Sequence, residues 1–498
     1  MASPLWPAGW QPVMGLEIHA QLATTTKIYC ADEVTFGAPP NTHVSPISLG
    51  HPGALPTLNA AGIEQAITLG LATGCSIAER SHFARKNYFY PDLPKGYQIS
   101  QDTTPICYDG SLSIRLKDGS AKTIRIQRIH LEEDAGKSLH DQDLYDSLID
   151  LNRASAGLIE IVSHPDLRSP EEAMAYLTEV RKLVRYLDVC DGNMEEGSLR
   201  CDANVSVMRV GSTEFGTRCE IKNMNSISNV GRAIVYEINR QIEILEGGGT
   251  ITQGTRTWDA STGRTLALRD KESADDYRYF PEPDLQPLRV SAAKREAIRA
   301  RMPELPQVIF ERLTTEHKLS EFDAGLITEE RANSAYFFKT AQDYEQAYQQ
   351  PIELRALATW MNGPIRTTLN ETAGDITRYP VTTVTTAQLI HLFASGTVSQ
   401  SAVKEEVYPL VLAAAIEGRA LDPLALAQEK NLLQQSDAGE LRSIIAEVLA
   451  KNPEQVATYR GGKAGLLGFF VGQVRHATGG KADPKIVNQL LLEALGQS

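Results

Sequence analysis

Cysteine is scarce and scattered: six among 498 residues, at Cys30, Cys75, Cys107, Cys190, Cys201 and Cys219, with no paired spacing. That excludes a disulfide framework and points to a reducing compartment with free thiols. Long apolar runs are missing. None reaches the roughly 18–20 residues that a spanning helix needs. The start Met1-Ala2-Ser3-Pro4-Leu5-Trp6-Pro7 has neither a basic n-region nor an apolar h-region. A cytoplasmic protein with no membrane partner is expected. No Ser-His-Asp signature or reactive-cysteine pattern is present, so covalent catalysis is not indicated. A phosphate-binding loop is lacking as well. Ala135-Gly136-Lys137-Ser138 has the tail of one, but Leu131 stands where its first glycine belongs. Gly247-Gly248-Gly249 has no lysine behind it. Nor does positive charge prevail. The net charge of −13 argues against wrapping nucleic acid with the whole surface, and leaves room for a local basic patch.

What the chain does have is acids inside apolar strands. In Gly15-Leu16-Glu17-Ile18-His19-Ala20-Gln21-Leu22, alternation puts Leu16, Ile18, Ala20 and Leu22 on one face and Glu17, His19 and Gln21 on the other. Glu132 and Glu133 follow His130-Leu131. Glu160 is wedged into Leu158-Ile159-Glu160-Ile161-Val162. Asp202 and Asn204 alternate with Ala203 and Val205, and Glu220 sits between Arg218 and Lys222. Burying such acids is costly unless they are paired or bind a metal. Hard oxygen ligands with one imidazole suit Mg²⁺ or Mn²⁺, ions that commonly hold nucleotide phosphates. If ATP binds, metals and basic side chains must hold its phosphates. The run from Lys86 to Gln98 is dense in aromatics and prolines, and reads as a loop closing over an anionic ligand, with Lys86 and Lys95 as charge partners.

The length suggests three or so domains, and a hydrophobic content of 42% permits a large core. Alternating stretches at 13–22, 122–133, 157–163, 200–208 and 217–223 predict strands. Ser169-Pro170-Glu171-Glu172 predicts a capped helix through Leu187, and a second helix is expected from Val230 to Leu245. Strands alternating with long loops imply an α+β fold on an antiparallel sheet. From about 295 the pattern turns helical. Thr377 to Thr386 reads as a β-branched break, and short helices follow from 401. The domains are read as 1–294, 295–400 and 401–498. From residue 458 onward five basic residues oppose two acidic ones, with Arg460, Lys463 and Arg475 near glycine turns at Gly461-Gly462 and Gly479-Gly480. Such turns suit a phosphate backbone.

Longer motifs carry a resemblance. Gly15 to His19, Pro39-Pro40-Asn41-Thr42, Pro52 to Pro56, Lys86 to Gln101, Arg128 to Lys137, Asp191 to Val207, Glu220 to Ser226, Asp276 to Asp284, Met302 to Pro306 and Gly468 to Val474 together resemble the B subunits of glutamyl-/aspartyl-tRNA amidotransferases, over nearly the whole chain. The resemblance implies a cradle domain related to glutamine synthetase, a helical domain and a small helical tail that meets tRNA. It implies phosphorylation of the side-chain carboxylate of Glu-tRNA(Gln) or Asp-tRNA(Asn) with ATP and Mg²⁺. Ammonia from a separate amidase A subunit then displaces the phosphate, and a small C subunit clasps the pair. It assigns His19, Glu160 and one of Glu132 and Glu133 to one metal. Glu17, the other of that pair and Glu220 go to a second, with Asp202 nearby. Lys86, Glu132 and Glu133 are the catalytic candidates, and Lys86, Lys95, Asn204 and Lys222 the nucleotide-binding ones. Arg460, Lys463 and Arg475 are those for tRNA.

Two departures stand out. Many relatives carry Cys-x-Cys and Cys-x-x-Cys for zinc near the N-terminus. Here Cys30-Ala31-Asp32 keeps one thiol and Ser45-Pro46-Ile47-Ser48 none, so no zinc is expected. Where relatives read Asn-Arg-Ala-Gly-Val-Pro-Leu, this chain reads Asn152-Arg153-Ala154-Ser155-Ala156-Gly157-Leu158. Two other functions stay open on the residues alone: a catalytically inert tRNA-binding scaffold, and a free-standing metal-dependent amino-acid ligase.

Overall fold

The alternation in Trp10–Gln21 is realised as a 12-residue strand in which Leu16, Ile18 and Ala20 are buried and Glu17, His19 and Gln21 are half-buried. This is a computed structural model that describes residues 5–140, 142–143, 145–268, 277–372, 374–434, 438–478 and 481–496. Asp276 of the Asp276–Asp284 motif and the Gly479-Gly480 turn lie outside the described residues. The chain divides into two units, Met1–Leu305 and Pro306–Ser498.

In the first unit, nine strands among the described residues form one sheet. Their order is Arg264–Ala267, Gly254–Asp259, Cys219–Lys222, Leu199–Arg209, Trp10–Gln21, Gly157–Ser163, Ala121–Glu133, Cys107–Arg115 and Ser76–Ile77. The pairs are antiparallel except Cys219–Lys222 with Gly254–Asp259. This is the mostly antiparallel α+β sheet expected. Because side chains alternate, one face is apolar throughout its centre. Ile18, Ile161, Ile129, Leu131, Cys201, Ala203 and Ile221 are all buried, in one cluster with Ile67, Tyr176 and Ile234. Those last three come from the helices Ala60–Ala72, Pro170–Tyr186 and Ile227–Glu246. Each of the isoleucines and Leu131 contributes roughly 1.5–3 kcal/mol of burial. The opposite face is left to polar groups.

Local chemistry sets the helix starts. Ser169 accepts from the Glu172 amide and Pro170 opens the helix, as its motif predicts. The next helix begins at Ile227, three residues before the expected start, because Ser226 caps it through the Asn229 amide. Ala292–Arg299 packs on Ala60–Ala72 and so belongs to the first unit. The decoy phosphate loop opens no helix: Lys137–Leu139 is a short strand paired with Leu148–Asp150.

The described residues of the second unit fold as helices. Leu354–Trp360 runs into a wider turn, Met361–Ile365, that holds Pro364, and a second such turn spans Val403–Val407. Thr377–Thr386 is only partly a break. Thr382 caps a helix over Thr383–Ala394 by accepting from the Thr385 amide, so its β-branched residues form a first turn. Thr383–Ala394 packs on Pro423–Glu429, across position 401. Leu441, Ile445, Tyr459, Phe470, Val474 and Leu491 form a separate apolar cluster towards the end. No described helix is long and apolar enough to cross a membrane.

Candidate active site

Cross-strand register builds the polar face in rows. Arg200, His19, Glu160 and His130 stand side by side on four neighbouring strands. Glu17 is paired with Asp202 one step along, and Asn204 with Glu220 beyond it. Glu132, two residues after His130, shares the face. Four strands far apart in sequence thus deliver their acids and imidazoles to one place.

His19 is the hub. Its Nε2 lies 3.4 Å from Glu160 Oε2, 3.6 Å from Glu132 Oε1 and 3.7 Å from Glu17 Oε1. His130 Nε2 lies 3.3 Å from Glu160 Oε2 and 3.7 Å from Glu132 Oε2. Glu132 and Glu160 are only 3% and 5% exposed, which makes these contacts the main compensation for their desolvation. Burial pushes the His19 imidazole down, but Glu160, Glu132 and Glu17 outweigh it and bring it up to about 8. The same contest lifts His130 to about 9. Burial raises the Glu160 carboxyl, and the two imidazoles hold it well below the ordinary range. Glu17 is pushed up by burial and by Glu160.

The donor set fits a divalent cation. One ligand atom each from His19, Glu132 and Glu160 lies within 4.8 Å of the others, and the same holds for Glu17, His19 and Asp202. Bonds of about 2.1 Å to Mg²⁺ put neighbouring ligands about 3 Å apart and opposite ones about 4.2 Å apart.

The structure does not bring Glu133 and Lys95 to this cluster. Successive strand residues face opposite ways, so Glu133 turns from Glu132 and meets Lys95 Nζ at 2.5 Å, the Ile99 amide at 2.7 Å and Ser155 Oγ at 2.6 Å. Both acids of the pair were expected as ligands, one for each metal; only Glu132 stands on the face of the cluster. Lys222 has its ammonium on Asp202 and 2.8 Å from Glu220 Oε1, while Thr255 Oγ1 donates to Glu220 Oε2 at 2.8 Å. Glu220 therefore sits at the rim, balanced by Lys222.

Lys86 is on the short strand Ala84–Asn87, which pairs with Tyr97–Ser100. Its Nζ is 4.8 Å from the centre of the Tyr277 ring and 5.9 Å from that of Tyr88. Burial works against its charge, but Glu132 together with Tyr279, Tyr277 and Tyr88 outweighs it and raises its pKa. Arg460 ends the helix Pro453–Arg460, Lys463 precedes the turn Ala464–Leu466, and Arg475 lies in the last turn of Leu467–Ala477. All three are exposed.

His130 is the residue that sequence reasoning missed. Its signal was present: it stands two residues before Glu132 on one strand, as Glu17 stands before His19.

Residues 12–296 match the family described as the GatB/GatE catalytic domain, and residues 342–495 match the GatB domain. The chain is 49% identical over 492 residues to the B subunit of the aspartyl/glutamyl-tRNA(Asn/Gln) amidotransferase of Geobacter sp. (strain M21), covering 98% of this chain and 99% of that one. It is 48% identical over 489 residues to the protein of the same name from Thermodesulfovibrio yellowstonii, with 98% and 99% covered. The matches run through both units and through the strands that carry the acid cluster, and the chain belongs to the family of aspartyl/glutamyl-tRNA(Asn/Gln) amidotransferase B subunits.

Proposed function

We propose that this chain is the B subunit of a tRNA-dependent amidotransferase, a ligase that makes Gln-tRNA(Gln), Asn-tRNA(Asn) or both, and that its first unit holds the kinase and transamidase centre. The observation that carries this is the His19–Glu132–Glu160 constellation with Glu17 and Asp202 beside it. A carboxylate oxygen of the aminoacyl group attacks the γ-phosphorus of ATP, and the bond from phosphorus to the ADP oxygen breaks. Ammonia then attacks the acyl carbon, phosphate departs with the acyl oxygen, and the nitrogen gives up a proton.

Both reactants are anions, so the site must gather positive charge. Glu17, His19, Glu132, Glu160 and Asp202 would hold Mg²⁺, which supplies charge neutralisation on the phosphates and polarises the reacting phosphoryl group. Lys86 has aromatic rings about its ammonium and, among the described residues, no carboxylate within ion-pair distance, so it can take a phosphate oxygen. Asn204 and Lys222 border the same face and would orient the nucleotide.

We read the sheet and its polar face as a cradle of the glutamine-synthetase kind. The functional division is read as 1–294, 295–400 and 401–498, with Arg460, Lys463 and Arg475 gripping tRNA. The partners are an amidase A subunit that delivers ammonia, a small C subunit and the misacylated tRNA. Six free cysteines support a reducing, cytoplasmic setting. The test is ATP hydrolysis by the complex assembled from this chain and its partner subunits. ADP should appear only when a divalent cation and Glu-tRNA(Gln) or Asp-tRNA(Asn) are both present. Hydrolysis indifferent to the aminoacyl group would overturn the reading.

A further inference from the structure

The segment Tyr277–Asp284 lies along the free side of the strand that carries Lys86. Phe280 and Pro281 pair antiparallel with Arg85 and Ala84, and the Glu282 amide donates to Phe83 O at 2.9 Å. Two side chains flanking Lys86 hold it down. Arg85 grips one end: its Nε and Nη2 donate to the two oxygens of Glu282 at 2.7 and 2.9 Å, and Nη2 reaches Asp284 Oδ2 at 3.2 Å. Asn87 grips the other end, its Nδ2 donating to Tyr277 O at 3.1 Å and Arg278 O at 2.9 Å.

The clamp is more than a surface ion pair. The Glu282 side chain is fully buried and the Arg85 side chain is 19% exposed. The guanidinium is 4.3 Å from the Tyr97 ring centre and 5.7 Å from that of Phe280, so it is held between two aromatic faces. A bidentate pair with stacked faces fixes direction as well as distance. The segment that it fastens then delivers the Tyr277 ring to 4.8 Å from the Lys86 ammonium, braced edge-on by Tyr88 and Tyr279 at 6.1 Å each. Among the described residues Lys86 has no carboxylate within ion-pair distance, and the Tyr277 and Tyr88 rings border its ammonium.

We propose that Glu282, acting through Arg85, and Tyr277 are positioning residues: they fasten the Tyr277–Asp284 segment so that the Lys86 ammonium is held beside the acid cluster in the place where the transferred phosphate passes. The inference rests on Lys86 being a contact of that phosphate. A purely structural clamp would steady the sheet edge and leave the turnover of folded enzyme unchanged. A positioning clamp acts on rate through one atom, so its removal costs nothing once that atom is gone.

The test is a double-mutant cycle on the assembled amidotransferase, with ATP and misacylated tRNA as substrates. Glu282→Gln should lower kcat by about ten- to a hundredfold, with the KM for tRNA changed by less than about twofold. Tyr277→Leu, which keeps the Arg85–Glu282 pair, should do the same and carries the cycle if Glu282→Gln fails to assemble. Lys86→Met should lower kcat further. Combining either variant with Lys86→Met should give the rate of Lys86→Met alone. If both variants keep full kcat, or if their effects multiply with that of Lys86→Met, the segment is a structural staple and the proposal falls. If Lys86→Met by itself leaves kcat unchanged, the assignment of Lys86 is wrong, and this inference falls with it.

Discussion

Glu133 and Lys95 form a closed ion pair, 2.5 Å from carboxylate oxygen to ammonium, on the side of their strand away from Glu132. Both side chains are buried, at 1% and 7% exposed. Two adjacent glutamates therefore do different work, one holding the fold and the other facing the cluster.

The first prediction separates them. Glu133→Gln leaves a buried ammonium without its counter-charge and should destabilise the chain by about 3–5 kcal/mol, read from denaturant unfolding. Glu132→Gln and Glu160→Gln should fold and abolish ATP hydrolysis dependent on Glu-tRNA. Near-normal turnover in Glu132→Gln would remove the acid from the cation site.

A second concerns Ser155, which adopts a left-handed backbone with φ of 68° and donates to Glu133 Oε2. Ser155→Ala keeps the backbone strain and loses the bond, and should cost about 1–3 kcal/mol. Ser155→Gly also loses the bond but relieves the strain, so it should be more stable than Ser155→Ala by about 1 kcal/mol. Equal stability of the two would show that the backbone is unstrained.

Zinc content is the third. Near Cys30, the Lys27 ammonium donates to His43 O at 2.7 Å and lies 3.6 Å from Asp32 Oδ2, to which Ser48 Oγ donates at 2.6 Å. Lys27 is fully buried, so a cation already balances Asp32. Elemental analysis of the purified chain should find less than about one zinc per chain, since only one of four thiolates is present. Tightly held stoichiometric zinc would contradict this.

The tail supplies the fourth. Arg460→Glu with Lys463→Glu should raise the KM for aminoacyl-tRNA on the order of tenfold, about 1.4 kcal/mol. The kcat at saturating tRNA should change far less, because the loss is in binding alone. Higher salt should shrink the difference. A fall in kcat at constant KM would make the tail a positioning element.

How much of this could be read from the chain depended on the range of the interaction. Alternation in 157–163 gave both the strand and the buried acid, and Ser169-Pro170 marked a helix start, because neighbours in sequence decide both. Register was hidden. Nothing local says that His19 stands opposite Glu160 and Arg200, so which of Glu132 and Glu133 joins it stayed open until pairing settled their faces. The ion pairs of Lys222 were hidden too: Glu220 is two residues away on its own strand, but Asp202 reaches it only through pairing with the adjoining one. Thr383 to Thr386 looked like a strand break because β-branched residues disfavour helices, a weak preference that a cap and tertiary packing overcame. Glu282 gave no signal, since Arg85 is 197 residues away.

The placement of Trp10–Gln21 at the middle of the sheet governs when the centre can exist. Both strands that flank it, Gly157–Ser163 and Leu199–Arg209, are encoded far downstream. During synthesis the early strand leaves the ribosome with Leu16 and Ile18 uncovered and must wait for both neighbours. A nascent chain that stops before residue 199 lacks one side of the His19 row, so the acid-lined face cannot close until the strand Leu199–Arg209 has been made.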